Sequence, residues 1–149
     1  MKFYSYEEFK VDVNMLAKEI KTFKPDVILA IARGGMTLGH FIAEALEMRD
    51  LYSINSIHYD ETRKLNTIDI FNIPDLSKAK RVVIVDDIID SGETMIEVIK
   101  VISQKYPDVE IKVASVFYKE KALLRPDFTA REATEWIEFF WDFSIDNYK

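Results

Sequence analysis

Three carboxylates lie within five positions of the segment RVVIVDDIIDSGETM (residues 81–95), as Asp86, Asp87 and Asp90. The aliphatic run before them is typical of a buried strand, and open α/β sheets bind ligands beyond the carboxyl ends of their strands. Like charges this close repel, so they are tolerable only beside a cation, beside hydroxyl donors or with one acid protonated. The spacing therefore predicts a binding site at the end of this strand.

The next residues, SGET (91–94), combine a tight turn with the start of a helix. Backbone N–H groups at a helix start converge and carry about half a unit of positive charge, which suits a phosphate monoester. A lone Asp-Ser-Gly is more often a simple capped helix start, but here a double acid precedes the turn and Thr94 follows it. The segment is neither a Walker A loop nor a dinucleotide fingerprint. It offers acceptors for sugar hydroxyls or a metal beside a phosphate cradle, and a sugar 5-phosphate has this layout.

The elements that must position this segment alternate between strands and helices. SYEE (5–8) has the form of a capping box, and apolar residues follow it at spacings of three and four, which predicts a helix that Pro25 ends. Beyond it we expect strands at 27–31, 51–59, 81–87 and 110–118, with helices at about 37–46 and 93–106. This order predicts an α/β fold with a central, mostly parallel sheet flanked by helices.

Two stretches do not fit the alternation. Residues 60–72, DETRKLNTIDIFN, mix charge and polarity without a clean period, which predicts a mobile loop or a loose hairpin. Residues 119–149 contain both tryptophans and many other aromatic residues but no further βα unit, which predicts an appendage packed over the sheet. No repeat or flexible linker divides the chain, so we predict one domain over 1–149, with a core at about 1–118.

Composition excludes several classes of function. The 26 acidic and 20 basic residues leave a net charge of -6, which gives no long-range attraction to nucleic acid or to an anionic membrane. There is no cysteine, so disulfides, thiolate metal sites and cysteine nucleophiles are excluded. The longest apolar run, at 27–32, is too short to cross a bilayer. We expect a cytoplasmic protein that does not insert into membranes.

The stretch VVIVDDIIDSGETM resembles the phosphoribosyl diphosphate (PRPP) signature of the type I phosphoribosyltransferases: four apolar residues, two acids, two apolar residues, Asp, then Ser-Gly and a closing Thr. The resemblance implies the type I fold, with a C-terminal base-binding hood at about 119–149. In that family the acid pair contacts the ribose hydroxyls with Mg²⁺ close by, the loop binds the 5-phosphate, and the third acid acts as general base. These roles would fall on Asp86 and Asp87, with Asp87 beside the metal, on Asp90 as the base, and on Ser91, Gly92, Glu93 and Thr94.

A second stretch, ILAIARGGM (28–36), resembles the family's pyrophosphate loop, in which a strained, often cis, peptide binds the leaving group. The corresponding residues are Ala32, Arg33 and Gly34. A guanidinium can grip pyrophosphate through two hydrogen bonds, and glycine lets the backbone come close. Many relatives carry a small polar residue in place of Ala32, so a side-chain bond is lost here. Residues 60–72 match the family's mobile flap in position, and Arg63 would be its pyrophosphate arginine, with a solvated arginine as the alternative.

The C-terminal motifs FYK, RPDF and WIEFFWD resemble the purine-salvage branch, especially the small bacterial xanthine-guanine and archaeal hypoxanthine-guanine types. The resemblance implies that Lys119 meets the purine 6-oxo group, that Trp136 stacks on the base and that the backbone of Ile137 reads the 2-position. An aromatic face and one cation beyond a phosphate site suit a flat oxopurine. Taken alone, WIEFFW would be a core or interface strand and Lys119 a surface charge.

The implied activity is transfer of the 5-phosphoribosyl group from PRPP to a 6-oxopurine (guanine, xanthine or hypoxanthine), with Mg²⁺, giving a nucleoside 5-monophosphate and pyrophosphate. Family habit and the aromatic excess imply a homo-oligomer, a dimer or a tetramer. Three alternatives stay open: a regulatory protein that binds PRPP, a pyrimidine or orotate transferase, and a phosphate-accepting signalling domain. The regulators usually add a nucleic-acid-binding module, and the signalling domain needs an acceptor Asp where this chain has Arg33.

Overall fold

The computed structural model describes residues 1–60 and 66–147 of the chain. In this part of the chain the elements follow in the order β1 (Lys2–Tyr4), α1 (Tyr6–Phe23), β2 (Val27–Ala32), α2 (Met36–Ala45), β3 (Leu51–Asp60), β4 (Asn66–Phe71), β5 (Arg81–Ile89), α3 (Glu93–Lys105), β6 (Glu110–Tyr118), β7 (Phe128–Glu132), β8 (Ile137–Phe139) and a short 3-10 helix (Ile145–Asn147). None of the described helices is long and apolar enough to cross a membrane.

Six strands form the main sheet in the order β4-β3-β2-β5-β6-β7. Only the β3–β4 pair is antiparallel, and every other neighbouring pair in this sheet is parallel. The predicted α/β class with a central, mostly parallel sheet is confirmed. The acid-bearing strand β5 lies near the centre of the sheet and continues two residues beyond the predicted end, to Ile89.

Strand β2 is apolar on both faces because both faces are covered. Ile28 and Ala30 join the core cluster that contains residues of α1 and α2, whereas Val27, Leu29 and Ile31 join the cluster that contains residues of α3. Successive side chains of a strand point to opposite faces, so a continuous aliphatic run is what a strand between two helical layers requires. β5 divides its residues in the same way.

The first helix begins at the capping box that the sequence predicts. The Ser5 hydroxyl accepts a hydrogen bond from the Glu8 N–H at 3.1 Å, and the Glu8 carboxylate accepts one from the Ser5 N–H at 3.3 Å. Together they satisfy two backbone donors that the first turn leaves without partners. The helix ends at Phe23, and Lys24 adopts the left-handed conformation just before Pro25.

The C-terminal region departs from the expected appendage. β7 extends the main sheet by pairing in parallel with β6. Without β7, the backbone N–H and C=O groups on that side of β6 would have no partner strand. β8 pairs in parallel with β1 in a separate two-stranded sheet. Of residues 60–72, the described part belongs mostly to β3 and β4, which agrees with the hairpin alternative. Residues 61–65 lie outside the described residues, and the mobility expected of this segment stays a prediction.

Helix α2 approaches the sheet closely through glycine. A Cβ added at Gly35, the residue before α2, would collide with the backbone carbonyl oxygen of Val85. A Cβ added at Gly39 would lie 2.8 Å from the Cβ of Ala30. The carbonyl of Val85 belongs to a central strand and cannot move aside cheaply, so the absence of a side chain at Gly35 sets the distance between α2 and the sheet.

We expect Gly35→Ala to lower the free energy of unfolding by about 1–3 kcal/mol, because overpacking against a fixed backbone forces the helix or the strand to shift. Urea denaturation followed by circular dichroism measures the loss. His40→Ala, on the exposed side of the same helix, serves as the control and should change stability by less than about 0.5 kcal/mol. Equal unfolding midpoints for Gly35→Ala and the unmodified chain would contradict the packing argument.

Candidate active site

The loop between β5 and α3 has the geometry of a phosphate cradle. Gly92 has φ 89°, a left-handed conformation that favours glycine, and α3 begins at the next residue. The Ser91 hydroxyl accepts the Glu93 N–H at 3.2 Å, and the carbonyl of Gly92 accepts the first helical N–H, from Ile96, at 3.0 Å. The N–H groups of the first turn beyond Glu93 have no helical partner and can bind an anion. A small cavity of about 80 Å³ lies at this turn.

The segment after β6 supports the cradle from behind. The Lys119 N–H donates to the carbonyl of Ile89 at 2.9 Å, and the Leu123 N–H donates to the carbonyl of Ser91 at 2.8 Å. A Cβ at Gly92 would lie only 3.0 Å from the backbone nitrogen of Leu124. The loop between β5 and α3 and the residues that follow β6 therefore hold one another in place.

The acid pair at the end of β5 is partly enclosed by protein. The Asp86 carboxylate accepts the Asp87 N–H at 2.9 Å, and the Asp87 carboxylate accepts the Ile88 N–H at 2.7 Å. Burial raises the pKa of Asp86 well above its ordinary value, and the neighbouring charge of Asp87 raises it further. Burial also raises the pKa of Asp87, with the carboxylate of Asp142 adding to the effect. The site favours a cation or hydroxyl donors that would stabilise the ionised acids.

The loop after β2 passes directly beside this pair. The peptide bond between Ala32 and Arg33 is cis, as the resemblance implies. A Cβ at Gly34 would lie 2.7 Å from a carboxylate oxygen of Asp87, so only glycine lets this backbone run against the acid without a shift. The side chain of Arg33 is exposed to solvent. The loop thus presents backbone groups and one guanidinium to the same space that the acids face.

A cleft of about 760 Å³ opens between these parts. Its walls come from the loop after β2, the acid pair, the first turn of α3 and the C-terminal segment, and its lining residues are Ile31, Ala32, Arg33, Gly34, Thr37, Ser56, Asp86, Asp87, Thr94, Trp141, Asp142 and Phe143. The volume lies within the range of small-molecule sites, and the lining is rich in charged and hydroxyl groups. Such a cleft suits a charged, hydroxylated ligand better than an apolar one.

A second pocket of about 270 Å³ adjoins the cleft through Asp87 and Asp142, which line both. Its other lining residues include Lys119, Trp136 and Ile137, the three that the resemblance assigns to the base. The Trp136 side chain is 76% exposed, so its ring face is open to a partner. A solvent-exposed indole at the rim of a pocket is well suited to stacking on a flat ligand.

An ion pair joins Asp90, the predicted general base, to Lys119, one of the residues predicted to bind the purine. The Lys119 Nζ lies 2.8 Å from the Asp90 Oδ1, with 46% and 68% of the two side chains exposed. Exposed pairs of this kind contribute about 0–1 kcal/mol, so a ligand that offers equivalent partners can replace the pair at little cost. Both side chains line the second pocket and therefore face any ligand in it.

The backbone of β8 directs the peptide groups of Ile137 away from β1. The Lys2 N–H donates to the carbonyl of Trp136 at 2.9 Å, and the Phe140 N–H donates to the carbonyl of Tyr4 at 3.0 Å. Because peptide groups alternate in direction along a strand, those of Ile137 point to the opposite side. Within the described sheets β8 pairs only with β1, so no further strand takes up these groups. They are available to a ligand in the second pocket.

The structure brings most of the predicted site residues together. Asp86 and Thr94 line both the small cavity at the turn before α3 and the cleft, and Asp90 lines both that cavity and the second pocket. Arg63 lies outside the described residues. The roles predicted from the resemblance stay predictions for all of these residues, which are Ala32, Arg33, Gly34, Asp86, Asp87, Asp90, Ser91, Gly92, Glu93, Thr94, Lys119, Trp136 and Ile137.

Sequence reasoning missed several residues that line the cleft. Thr37, in the first turn of α2, and Ser56, on β3, both reach it. The hydroxyl of Thr37 follows the Arg-Gly-Gly turn at a helix start, and that position is a signal that could have identified it. Nothing in the local pattern distinguishes Ser56. Asp142 had no assigned role; it accepts the Phe139 N–H at 3.0 Å and lines both larger cavities.

The raised pKa of Asp86 predicts a pH-dependent stability. Its pKa in the folded chain lies above that in the unfolded chain, so stability falls as pH rises between the two values, by up to about 1.4 kcal/mol per pH unit. Asparagine keeps the carbonyl acceptor for the Asp87 N–H but cannot ionise. We therefore expect Asp86→Asn to be more stable than the unmodified chain at neutral pH, with a gain that shrinks to nothing in acid.

Urea denaturation between pH 4 and pH 8 measures this difference. Asp108→Asn, the same change at an exposed turn, corrects for the general effect of removing one negative charge. A difference between Asp86→Asn and the unmodified chain that stays constant over the whole pH range would show that burial does not oppose the ionisation of Asp86.

Comparison with known proteins agrees with this geometry. The model of the phosphoribosyl transferase domain family matches residues 3–147. The xanthine-guanine-hypoxanthine phosphoribosyltransferase of Helicobacter pylori superposes with a TM-score of 0.88 at 39% identity, covering 97% of this chain and 94% of that one. A purine phosphoribosyltransferase from Pyrococcus horikoshii Ot3 gives 0.83 at 30% identity, covering 95% and 94%. The xanthine-guanine phosphoribosyltransferase of Ruegeria sp. (strain TM1040) is 27% identical, over 95% of this chain and 85% of that protein.

The match spans nearly the whole described chain and includes the strand, turn and helix that carry the acids and the phosphate cradle. Both structural relatives share the arrangement of helices on a mostly parallel sheet, so the predicted type I fold is confirmed. The chain belongs to the phosphoribosyl transferase family, in the branch that contains the xanthine-guanine enzymes.

Proposed function

We propose that this enzyme transfers the 5-phosphoribosyl group of PRPP to a 6-oxopurine, giving a nucleoside 5-monophosphate and pyrophosphate. The observation that carries the proposal is the sharing of Asp87 and Asp142 between the polar cleft and the pocket of Trp136 and Lys119. A sugar phosphate in the cleft and a flat base in the pocket would meet beside the end of β5. The names of the relatives support a purine as the base.

In the proposed complex the 5-phosphate accepts hydrogen bonds from the N–H groups at the start of α3 and from the Thr94 hydroxyl. The ribose hydroxyls donate to Asp86 and Asp87, which stabilises the ionised form of both acids. The loop at Ala32, Arg33 and Gly34 holds the pyrophosphate. The 5-phosphate would fix one end of the sugar, and C1, which carries the pyrophosphate, would lie at the other end, between the pyrophosphate loop and the second pocket.

The site fits Mg²⁺ as a companion of PRPP. No group of three or more His, Asp or Glu side chains in the described part of the chain is arranged to hold a metal ion by protein ligands alone. Mg²⁺ commonly binds through one or two carboxylates together with substrate phosphates and waters, and Asp86 and Asp87 offer such carboxylates. When bound, it would neutralise the charge of the leaving pyrophosphate. Asp87, beside the pyrophosphate loop, is the residue best placed to hold it.

The transfer forms one bond and breaks another at C1 of the ribose. A purine ring nitrogen attacks C1, and the bond between C1 and the pyrophosphate oxygen breaks with its electron pair leaving on pyrophosphate. Positive charge develops on the sugar, which the carboxylates of Asp86 and Asp87 stabilise. The purine gives up its ring proton, and Asp90 accepts it as general base.

The Lys119–Asp90 ion pair supports the preference for an oxopurine. A 6-oxo group accepts a hydrogen bond from the Lys119 ammonium, and the neighbouring ring N–H can then donate to the Asp90 carboxylate. An oxopurine thus gives Lys119 an acceptor in place of Asp90 and gives Asp90 a donor in place of Lys119. A 6-amino group is itself a donor and offers the ammonium nothing, so adenine would leave a lysine without its partner. The pair therefore discriminates between the two classes of purine.

Steady-state assay of five bases with PRPP and Mg²⁺ tests the proposal. We expect pyrophosphate release with one or more of guanine, xanthine and hypoxanthine, and at least about a hundredfold lower kcat/KM with adenine and uracil, since a site built to hydrogen-bond an oxo group rejects bases that leave its polar groups without partners. Turnover of uracil alone would favour a pyrimidine transferase. Binding of PRPP without turnover of any base would favour a regulatory protein.

Two substitutions separate the roles of the ion pair. We expect Asp90→Asn to lower kcat by about 10²-fold or more with little change in the KM for PRPP, because it removes the proton acceptor. Lys119→Ala should mainly raise the KM for the purine, by about tenfold, because it removes a charged hydrogen bond to the base.

Lys121→Ala is the matched control, since Lys121 is an exposed lysine two residues away that lines neither large cavity. It should leave the kinetic constants within about twofold of the unmodified enzyme. A kcat for Asp90→Asn within about twofold of normal would rule out the general-base role. The predictions of a homo-oligomer and of a cytoplasmic location remain to be tested.

A further inference from the structure

A polar network ties the first strand of the chain to the first helix and to the edge of the main sheet. Tyr4 on β1 is wholly buried, and its hydroxyl donates to Asp12 Oδ2 on α1 at 2.5 Å. The Arg131 Nε on β7 donates to the same oxygen at 2.7 Å, and its Nη1 donates to Glu8 Oε2 at 3.0 Å. Two elements at the start of the described chain and one near its end thus meet at one carboxylate.

The charges of this network are matched once Lys2 is included, since its Nζ lies 2.8 Å from Glu8 Oε2. Asp12 is 7% exposed, and the Arg131 guanidinium lies beside it. The hydrogen bond to Asp12 raises the pKa of Arg131, and burial raises the pKa of Tyr4, so the tyrosine remains a donor. Well-packed apolar residues can stabilise a core as well as a buried ion pair does, whereas oriented donors specify one geometry. The arrangement is better suited to fixing the position of β1 than to raising stability.

The ring of Tyr4 is the centre of an aromatic cluster under the base pocket. It makes edge contacts with Phe117, Phe139 and Trp141, at centroid distances of 5.0, 5.9 and 6.3 Å. Phe139 and Trp141 stack on each other at 4.6 Å. Phe139 lines the second pocket and Trp141 lines the cleft. A shift of the Tyr4 ring would therefore move a wall of the second pocket, whereas in the cleft it would reach only Trp141 and none of the groups proposed to hold PRPP.

The backbone of β1 forms hydrogen bonds with β8, the strand that contains Ile137. The hydrogen bonds from Lys2 to Trp136 and from Phe140 to Tyr4 join the two strands on either side of Ile137. In the described sheets β8 has no other strand partner. The position of the Ile137 peptide groups thus follows from the position of β1, and the hydroxyl of Tyr4 anchors β1 to the core.

We propose that Tyr4, Asp12 and Arg131 are positioning residues for the purine, which set the place of the β8 backbone and of its aromatic walls without touching the substrate. The proposal rests on the proposed function, since it assumes that the second pocket binds the base. The phosphate cradle lies on β5 and α3, outside this network. Loss of the network should therefore affect the base and spare PRPP.

The Tyr4→Phe variant keeps the ring and removes the hydroxyl. We expect the KM for the oxopurine to rise about fivefold, as for the loss of one buried hydrogen bond, and the KM for PRPP to change by less than about twofold. Steady-state kinetics of the full chain, well below its melting temperature, measures both constants. Tyr106→Phe is the matched control: its hydroxyl donates to the carbonyl of Pro74 at 3.4 Å, far from the pocket, and its loss should move neither constant.

A second variant, Arg131→Lys, retains the charge but cannot donate to Asp12 and Glu8 in the same fork-like geometry. It should raise the purine KM selectively as well. A lower melting temperature with both KM values unchanged, or an equal rise of both, would overturn the positioning role. An unmodified enzyme inactive with every oxopurine would overturn the proposed function and this inference together, whereas an active enzyme with a normal Tyr4→Phe variant would overturn this inference alone.

Discussion

Two adjacent carboxylates at the end of a central strand form the constraint around which the rest of the site is organised. Asp86 and Asp87 follow four fully buried residues of β5, so the sheet itself carries them into surroundings that disfavour their ionisation. A protein selected for stability alone would not place two acids there. In the proposed complex, a ligand that supplies cations and hydroxyl donors would offset this cost, and the unfavourable ionisation of the free site would add to the affinity for that ligand.

The surrounding loops are shaped by the same pair. Gly34 has no side chain where one would strike Asp87, and α3 starts within a few residues of the acids with its positive end toward them. Both features bring backbone groups close to the carboxylates without adding bulk. The cleft is polar for this reason, although the two layers of the core beneath it are aliphatic and aromatic.

Local sequence patterns predicted the parts of the fold that depend on interactions between residues close together in the sequence. The aliphatic runs of β2 and β5, the capping box at Ser5 and the turn at Gly92 each act over a few residues, and each lies where the pattern indicates. β1 and β7 were not predicted, since three to five residues of mixed polarity show no period. Their places depend on long-range contacts such as that of Arg131 with Asp12, 119 positions apart. Ser56 reaches the cleft for a similar reason, because sheet pairing alone brings it there.

The addition of β7 to the edge of the main sheet limits how the second pocket, the proposed site of the base, can change during evolution or engineering. The residues around Trp136 follow a strand that completes the edge beside β6, and Arg131 on that strand reaches back to the first helix. A graft of the C-terminal segment from a relative would have to rebuild the sheet edge and the contacts of α1 as well. New base specificity is therefore reached more easily by single replacements within the pocket than by exchange of the segment as a cassette.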